Sequence, residues 1–215
     1  MRALFVLLWA LIGLILTIGS TWLEAFSLGV PIGELLRGEE GTWISSLQVS
    51  FQVGAALFTG CMGGPTAAAL SQIAYVALGI LLFDRFGYEV FTQGAGLASL
   101  REPWFGYLLG FIPGGWICGW LAFRAKATLE RLAFASLVGL VAVHACGLSY
   151  LLLGALVRWV KISGSVEQAV MTYSISEIPG QVMVACAIAL IAYAMRWARN
   201  ATDAALLRWA TRDKK

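Results

Sequence analysis

The sequence predicts an all-α membrane protein, a bundle of six transmembrane helices, and three observations lead there. Of 215 residues, 60% are hydrophobic and only 13% charged, whereas a soluble domain of this size needs roughly a quarter charged to cover its surface. The mean hydropathy is +0.80. The few charges fall between long apolar runs rather than throughout the chain. Together these exclude nucleic-acid binders, secreted disulfide scaffolds and disordered chains.

A hydrocarbon core of about 30 Å needs roughly 20 apolar residues per helix. Six stretches meet that length: 3–23, 44–62, 66–82, 104–123, 132–157 and 176–197. The first is too long for a signal-peptide core and lacks a small-residue cleavage site, so it is expected to stay as an anchor. Between the second and third lies only Gly63-Gly64-Pro65, a tight break. Three longer polar connections, 24–43, 83–103 and 158–175, fall on the face opposite the termini.

Lys and Arg decide which face is the cytoplasm, because positively charged short loops stay inside. The termini and the 124–131 loop, with the ends of the adjoining spans, hold ten of the fifteen Lys and Arg against three acids, net +7. The opposite face holds five against nine acids, net −4. Both termini are therefore predicted cytoplasmic. Residues 1–198 form the six-helix domain. From Arg199 to Lys215, Ala201, Ala205, Leu206 and Trp209 stand against Arg208, Arg212 and Asp213 at helical spacing, which reads as a basic amphipathic tail on anionic headgroups.

The chemistry-bearing residues point away from catalysis. The spans carry one His, no Asp pair and no HExxH, so an intramembrane protease lacks its machinery, and no P-loop or GxGxxG is present to couple nucleotide hydrolysis. Cys61, Cys118, Cys146 and Cys186 sit singly in apolar runs without metal-ligand spacing and read as packing residues. His144, in the fifth span, reads as a helix-to-helix hydrogen bond. Gly106, Gly110 and Gly114 recur every four residues in the fourth span, with Gly115 and Gly119 offset by one, a smooth ridge against which another backbone can lie. The loop 83–103 places Gly94 and Gly96 beside Phe91, Gln93 and Arg101, the composition of a lid over a small ligand.

Several segments, taken in order, carry a resemblance. They are Gln52-Val53-Gly54-Ala55-Ala56-Leu57, then Gly63-Gly64-Pro65-Thr66-Ala67-Ala68-Ala69, then Gln72-Ile73-Ala74-Tyr75-Val76-Ala77-Leu78-Gly79. Phe91 with Gly94 and Gly96 follows, and then Pro103-Trp104-Phe105-Gly106-Tyr107-Leu108-Leu109-Gly110-Phe111. The set resembles the BioY family, the biotin-binding S components of energy-coupling-factor (ECF) transporters, over about residues 44–190. Gly147-Leu148-Ser149-Tyr150-Leu151 and Ile178-Pro179-Gly180-Gln181 look like the family's fifth- and sixth-helix patterns. The family's usual Asp is here Gln181, and the Lys three residues on is Val184. An amide still accepts one hydrogen bond and donates through its nitrogen, and Glu177, one turn earlier, stands ready to supply a carboxylate.

The resemblance implies a multi-pass protein of the cell membrane that binds biotin and docks on a transmembrane coupling protein with paired ATPases, needing no cofactor of its own. It implies a substrate site opening outward beneath the first and third exterior loops. Biotin offers a ureido ring, an apolar body and a carboxylate, so amides, aromatic walls and one cation are expected. Tyr75, Phe91, Gln93, Arg101, Tyr107 and Gln181 supply them. Two other readings stay open: an S component for a different vitamin-like solute, and a structural or assembly subunit that binds none.

The charge asymmetry makes a direct prediction. Reporters fused after Lys215 and within 124–131 should both score as cytoplasmic, because net +7 faces net −4 across the bilayer. An exterior signal from either fusion reverses the orientation.

Overall fold

The structure, a computed structural model, describes residues 2–21, 23–28, 44–88, 90–91, 96–162 and 164–212. In chain order it contains helix α1 (Arg2–Thr21), strands β1 (Glu24–Leu28) and β2 (Ile44–Ser50), and helices α2 (Gln52–Gly63), α3 (Pro65–Phe86), α4 (Phe105–Phe123) and α5 (Leu129–Leu156). After α5 come a single turn of helix, α6 (Val166–Val170), a π-helical turn Met171–Ile175, and the long α7 (Ile178–Arg212). A 3-10 turn over Gly96–Arg101 lies between α3 and α4. Five helical segments of the described residues are long and apolar enough to cross a membrane: Ala3–Thr21, Pro65–Phe86, Phe105–Phe123, Leu129–Leu156 and Val166–Thr202.

The second expected span, 44–62, is divided. Its first half is β2, paired antiparallel to β1 with Leu28 opposite Ile44 and Glu24 opposite Ser50. Three serines with Ile44 and Val49 in seven residues make a poor helix and an acceptable strand. The all-α expectation therefore holds for the described residues apart from this ribbon. The second half, α2, has twelve residues, about 18 Å of helix against about 30 Å of hydrocarbon.

A helix that short cannot face lipid along a full crossing, and α2 does not. Val53, Gly54, Ala55, Ala56, Leu57, Thr59, Gly60, Cys61, Met62 and Gly63 are all buried, the pattern of a helix enclosed by others. It packs on α1, α3, α4, α5 and α7. The break expected at Gly63-Gly64-Pro65 is where α2 ends and α3 begins: Gly64 has φ +87° and Pro65 opens α3, a position where its missing N–H costs nothing.

The glycine ridge of the fourth span faces two neighbours at once. A Cβ on Gly110 would stand 2.6 Å from the Val143 carbonyl oxygen of α5, and one on Gly119 would stand 2.5 Å from the Pro65 nitrogen and 2.6 Å from the Gly64 carbonyl carbon. Gly60 on α2 meets the Gly115 carbonyl oxygen in the same way, at 2.7 Å. Backbones approach this closely only where side chains are missing. Cys61 and Cys118 face each other across this contact with their Sγ atoms 3.6 Å apart, both fully buried, as small packing residues do.

At the opposite end from Gln181, α7 ties the bundle together. The buried Arg196 guanidinium donates to the carbonyls of Cys61 and Ala122, each at 3.2 Å, and lies over the Phe123 ring at 4.4 Å. It thus places positive charge at the C-terminal ends of α2 and α4, where the helix dipoles are negative. Beyond it α7 continues past residue 198 to Arg212. Its 35 residues measure about 52 Å, well beyond the hydrocarbon thickness.

The described parts of the longer connections are tied to the helices. α3 ends on Gly87 in the left-handed conformation, φ 74°. Gly96, φ 66°, begins the 3-10 turn, and the Asp84 carboxylate accepts the Leu97 N–H at 3.2 Å. The 158–175 connection is structured too: Ser165 and Gln168 form a reciprocal cap on α6.

The close contact of α4 with the α2–α3 junction should dominate stability. Gly119→Ala forces a methyl into backbone and is expected to cost about 1–3 kcal/mol. Gly19→Ala, with nothing within 4 Å of the added carbon, should be neutral or stabilising by up to about 1 kcal/mol through helix propensity. Thermal unfolding of the two variants in detergent checks the contrast.

Candidate functional site

Two polar clusters lie among the helices. The first begins at Tyr107, in the first turn of α4. Its ring lies beside Gly147 of α5, whose absent Cβ would stand 2.3 Å from Cδ1 of the ring. It meets His144 edge-on at 5.8 Å and Tyr173 at 6.4 Å between ring centroids. The Tyr107 hydroxyl lies 2.8 Å from Ser174 Oγ, and Ser174 Oγ lies 3.1 Å from His144 Nδ1. On the other side of the imidazole, Nε2 lies 3.1 Å from Gln181 Oε1, and Gln181 Nε2 donates to Glu177 Oε2 at 3.2 Å. Five side chains, from α4, α5, the π-helical turn, the first turn of α7 and Glu177 just before it, are thereby joined in one line.

Local backbone explains the convergence. The π-helical turn widens the chain just before α7, and such turns re-aim side chains by adding a residue to the helical register. Ser174 points inward, fully buried, while Glu177 and Gln181, four residues apart, share a face. His144 is 8% exposed; both ring nitrogens have partners, which a buried imidazole requires. His144 is thus the helix-to-helix hydrogen bond that its position in the fifth span suggested, with two partners rather than one.

The second cluster joins α1, α2 and α3. The fully buried Tyr75 hydroxyl lies 3.0 Å from Thr21 Oγ1, and Gln52 Nε2 donates to both, at 2.8 Å and 2.6 Å. One turn deeper, Gln72 Nε2 donates to Thr17 Oγ1 at 2.9 Å. From Tyr75 a series of edge-on rings runs through Phe91 at 5.4 Å, Trp104 at a further 5.8 Å and Phe105 at 5.9 Å, then on to the tilted Tyr150 ring of α5 at 6.3 Å. Gly79 leaves room for the Phe91 ring, which a Cβ there would meet at 2.1 Å.

Of the residues expected at the site, Tyr75 and Phe91 are in contact, and Tyr107 and Gln181 are joined through Ser174 and His144. Arg101 is exposed, with its guanidinium 4.9 Å above the Trp159 ring and its carbonyl accepting the Lys161 N–H at 2.7 Å. The neighbouring Leu100 carbonyl accepts both the Tyr150 hydroxyl and, at 3.2 Å, the Trp159 indole N–H. Gln93 lies outside the described residues.

Sequence reasoning missed Ser174, Thr21 and Trp159. Serine and threonine are frequent in polar connections and helix ends, and neither position carries a spacing signal, so only the fold shows that they bridge helices. Trp159 left a weak trace, an aromatic between two cations, Arg158 and Lys161. No group of three or more His, Cys, Asp or Glu that could hold a metal occurs among the described residues.

Known proteins match this chain over most of its length. The family model described as the BioY family matches residues 41–201. A protein named probable biotin transporter BioY, from Lysinibacillus sphaericus, is 29% identical over 148 residues, covering 68% of this chain and 70% of that protein. An uncharacterized 21.2 kDa protein encoded in the psbX-ycf33 intergenic region of Cyanophora paradoxa is 27% identical over 192 residues, 89% of this chain and 95% of its own. Among solved structures, the crystal structure of the S-component for biotin from an ECF-type ABC transporter superposes with a TM-score of 0.63 at 18% identity, covering 91% of this chain and 92% of that one. At that identity the likeness is one of fold.

Proposed function

The chain belongs to the BioY family, and from that membership we propose that it is the substrate-binding subunit of a membrane system for biotin uptake. It is a multi-pass membrane protein and a transporter component rather than an enzyme. The observation that carries the reading is the family match across 41–201, which spans every helix of both polar clusters except α1. Transport is driven by a partner, an ECF transmembrane coupling protein with its ATPases, on which this subunit docks. α2 counts as the second of six helices, both termini are cytoplasmic, and the extension of α7 past residue 198 is the basic tail that meets anionic lipid.

In this reading the ligand lies with its ureido ring toward Gln181 and Tyr107, its apolar body against Phe91 and Tyr75, and its carboxylate toward Arg101. Gln93 belongs to the lid above it. The amide at 181 suits a neutral ring that both donates and accepts. A guanidinium already held over the Trp159 face loses less entropy on gripping a carboxylate than a free side chain does.

Thermal stabilisation of the detergent-purified protein by a vitamin panel tests the substrate. Biotin at 100 times its dissociation constant should add about 2.7 kcal/mol, and stabilisation by a different vitamin instead, or by none, overturns the assignment.

Two substitutions test the two ends of the ligand. Gln181→Leu should weaken biotin binding by about 1–3 kcal/mol by leaving a ring donor or acceptor unpaired. Arg101→Gln should weaken biotin while leaving its neutral carboxamide unaffected. Equal affinities of each variant and the parent for both ligands remove these residues from the site.

A further inference from the structure

We propose that His144 is a positioning residue, held as the Nε2–H tautomer, that pins the Gln181 amide in one orientation toward the ligand ring. The inference rests on Gln181 contacting the ligand and follows from which atoms are able to donate. Where Glu177 is ionised, as at the mildly alkaline pH of the test below, its carboxylate only accepts, so the atom of Gln181 that lies 3.2 Å from Glu177 Oε2 is the amide nitrogen. The carbonyl oxygen of Gln181 then faces His144 Nε2 at 3.1 Å, and Nε2 must carry the proton. Nδ1 of the neutral ring is left as an acceptor, so the Ser174 hydroxyl donates to it across 3.1 Å. The oxygen of Ser174, its proton so used, accepts from the Tyr107 hydroxyl at 2.8 Å.

Every hydrogen bond in the line therefore points the same way, from Tyr107 through Ser174, His144 and Gln181 to Glu177, and reversing any single one sets two acceptors or two donors against each other. The consequence lies at Gln181. A primary amide on a helix face turns about its last torsion freely and presents either its oxygen or its nitrogen. Here it is held at both ends, the oxygen by His144 and the nitrogen by Glu177. One N–H and one carbonyl lone pair remain, at fixed places, for a ring that carries its own N–H and C=O. The chain thus selects between a ring carbonyl and a ring group that donates at the same place. Tyr107 and Ser174 act through the imidazole by keeping Nδ1 occupied.

This is the only histidine in the sequence, so its nitrogen resonances are unambiguous. In ligand-free protein labelled with ¹⁵N-histidine at mildly alkaline pH, the imidazole should show the Nε2–H tautomer, and Gln181→Leu should let the Nδ1–H form appear. An Nδ1–H ring in the parent protein overturns the proposal whatever the protein binds. The second arm reads specificity, comparing biotin with the imino analogue, whose ring carbonyl oxygen is replaced by an NH group, and with the carboxamide of the tail. The parent should prefer biotin to the imino analogue by roughly ten- to a hundredfold.

His144→Leu should shrink that preference toward parity while leaving the ratio of biotin to its carboxamide unchanged. His144→Gln, whose side-chain amide donates from nearly the place of Nε2, should restore it. A loss of affinity by one common factor for all three ligands in His144→Leu, with both ratios intact, shows a merely structural histidine and refutes the positioning role. A parent protein with the Nε2–H tautomer but no affinity for biotin refutes the substrate reading and leaves the held amide standing.

Discussion

The contact between α4 and its neighbours is the constraint on which the rest of the structure depends. A bilayer gives two helices no hydrophobic reason to associate, so the energy must come from dispersion at short range and from polar groups that meet across the gap. On α4 the glycines supply both conditions. One edge, at Gly110 and Gly114, brings the α5 backbone close, and the other, at Gly115 and Gly119, admits α2 and the α2–α3 junction. Because α4 touches both, the placement of Tyr107 against His144 and the enclosure of α2 are two results of one face. Filling that face separates helices on both sides.

Enclosure explains how a half-length helix persists at membrane depth. At the C-terminal end of α2 the Gly60 carbonyl accepts the Gly64 N–H, but the Cys61 carbonyl stands four residues before Pro65, which has no N–H to give. Arg196 takes the Cys61 carbonyl and reaches Ala122 at the end of α4 with the same nitrogen. A buried guanidinium is costly unless its donors are used, and here the cost is offset by two otherwise orphaned acceptors and by the Phe123 ring beneath it. The arrangement links the far end of α7 to the two helices that carry the core, while the near end of α7 carries Gln181.

The two polar clusters differ in what they can do. The Thr21, Gln52 and Tyr75 polar groups bond one another across α1, α2 and α3, which fixes the Tyr75 ring at the base of the aromatic series. The line from Tyr107 to Glu177 is instead half-buried at its Gln181 end, so it is open to a partner from outside the protein. Aromatic rings join the regions: Phe91 stands over Tyr75, and Phe105 reaches Tyr150, whose hydroxyl holds the Leu100 carbonyl next to Arg101. The loop before α4 is thereby anchored from both sides of the bundle.

Sequence alone determined the membrane class, the positions of five long helices to within a few residues of most ends and the glycine face of α4, and it nominated Tyr75, Phe91, Gln93, Arg101, Tyr107 and Gln181 as candidates. These are one-dimensional properties, since the length of an apolar run, a four-residue spacing and an ordered motif survive without knowing what lies opposite. Tertiary structure decided the rest. Residues 44–50 are apolar enough to pass for half a span, yet their serines weaken a helix while Ile44 and Val49 suit an extended pairing with 24–28, and composition averaged over a window hides that choice. Ser174 and His144 became bridges only because a π-helical turn aims one at the other across 30 residues of sequence. A hydrogen bond needs two atoms within about 3 Å and correctly directed, and that condition is met in space, where the sequence has no coordinate.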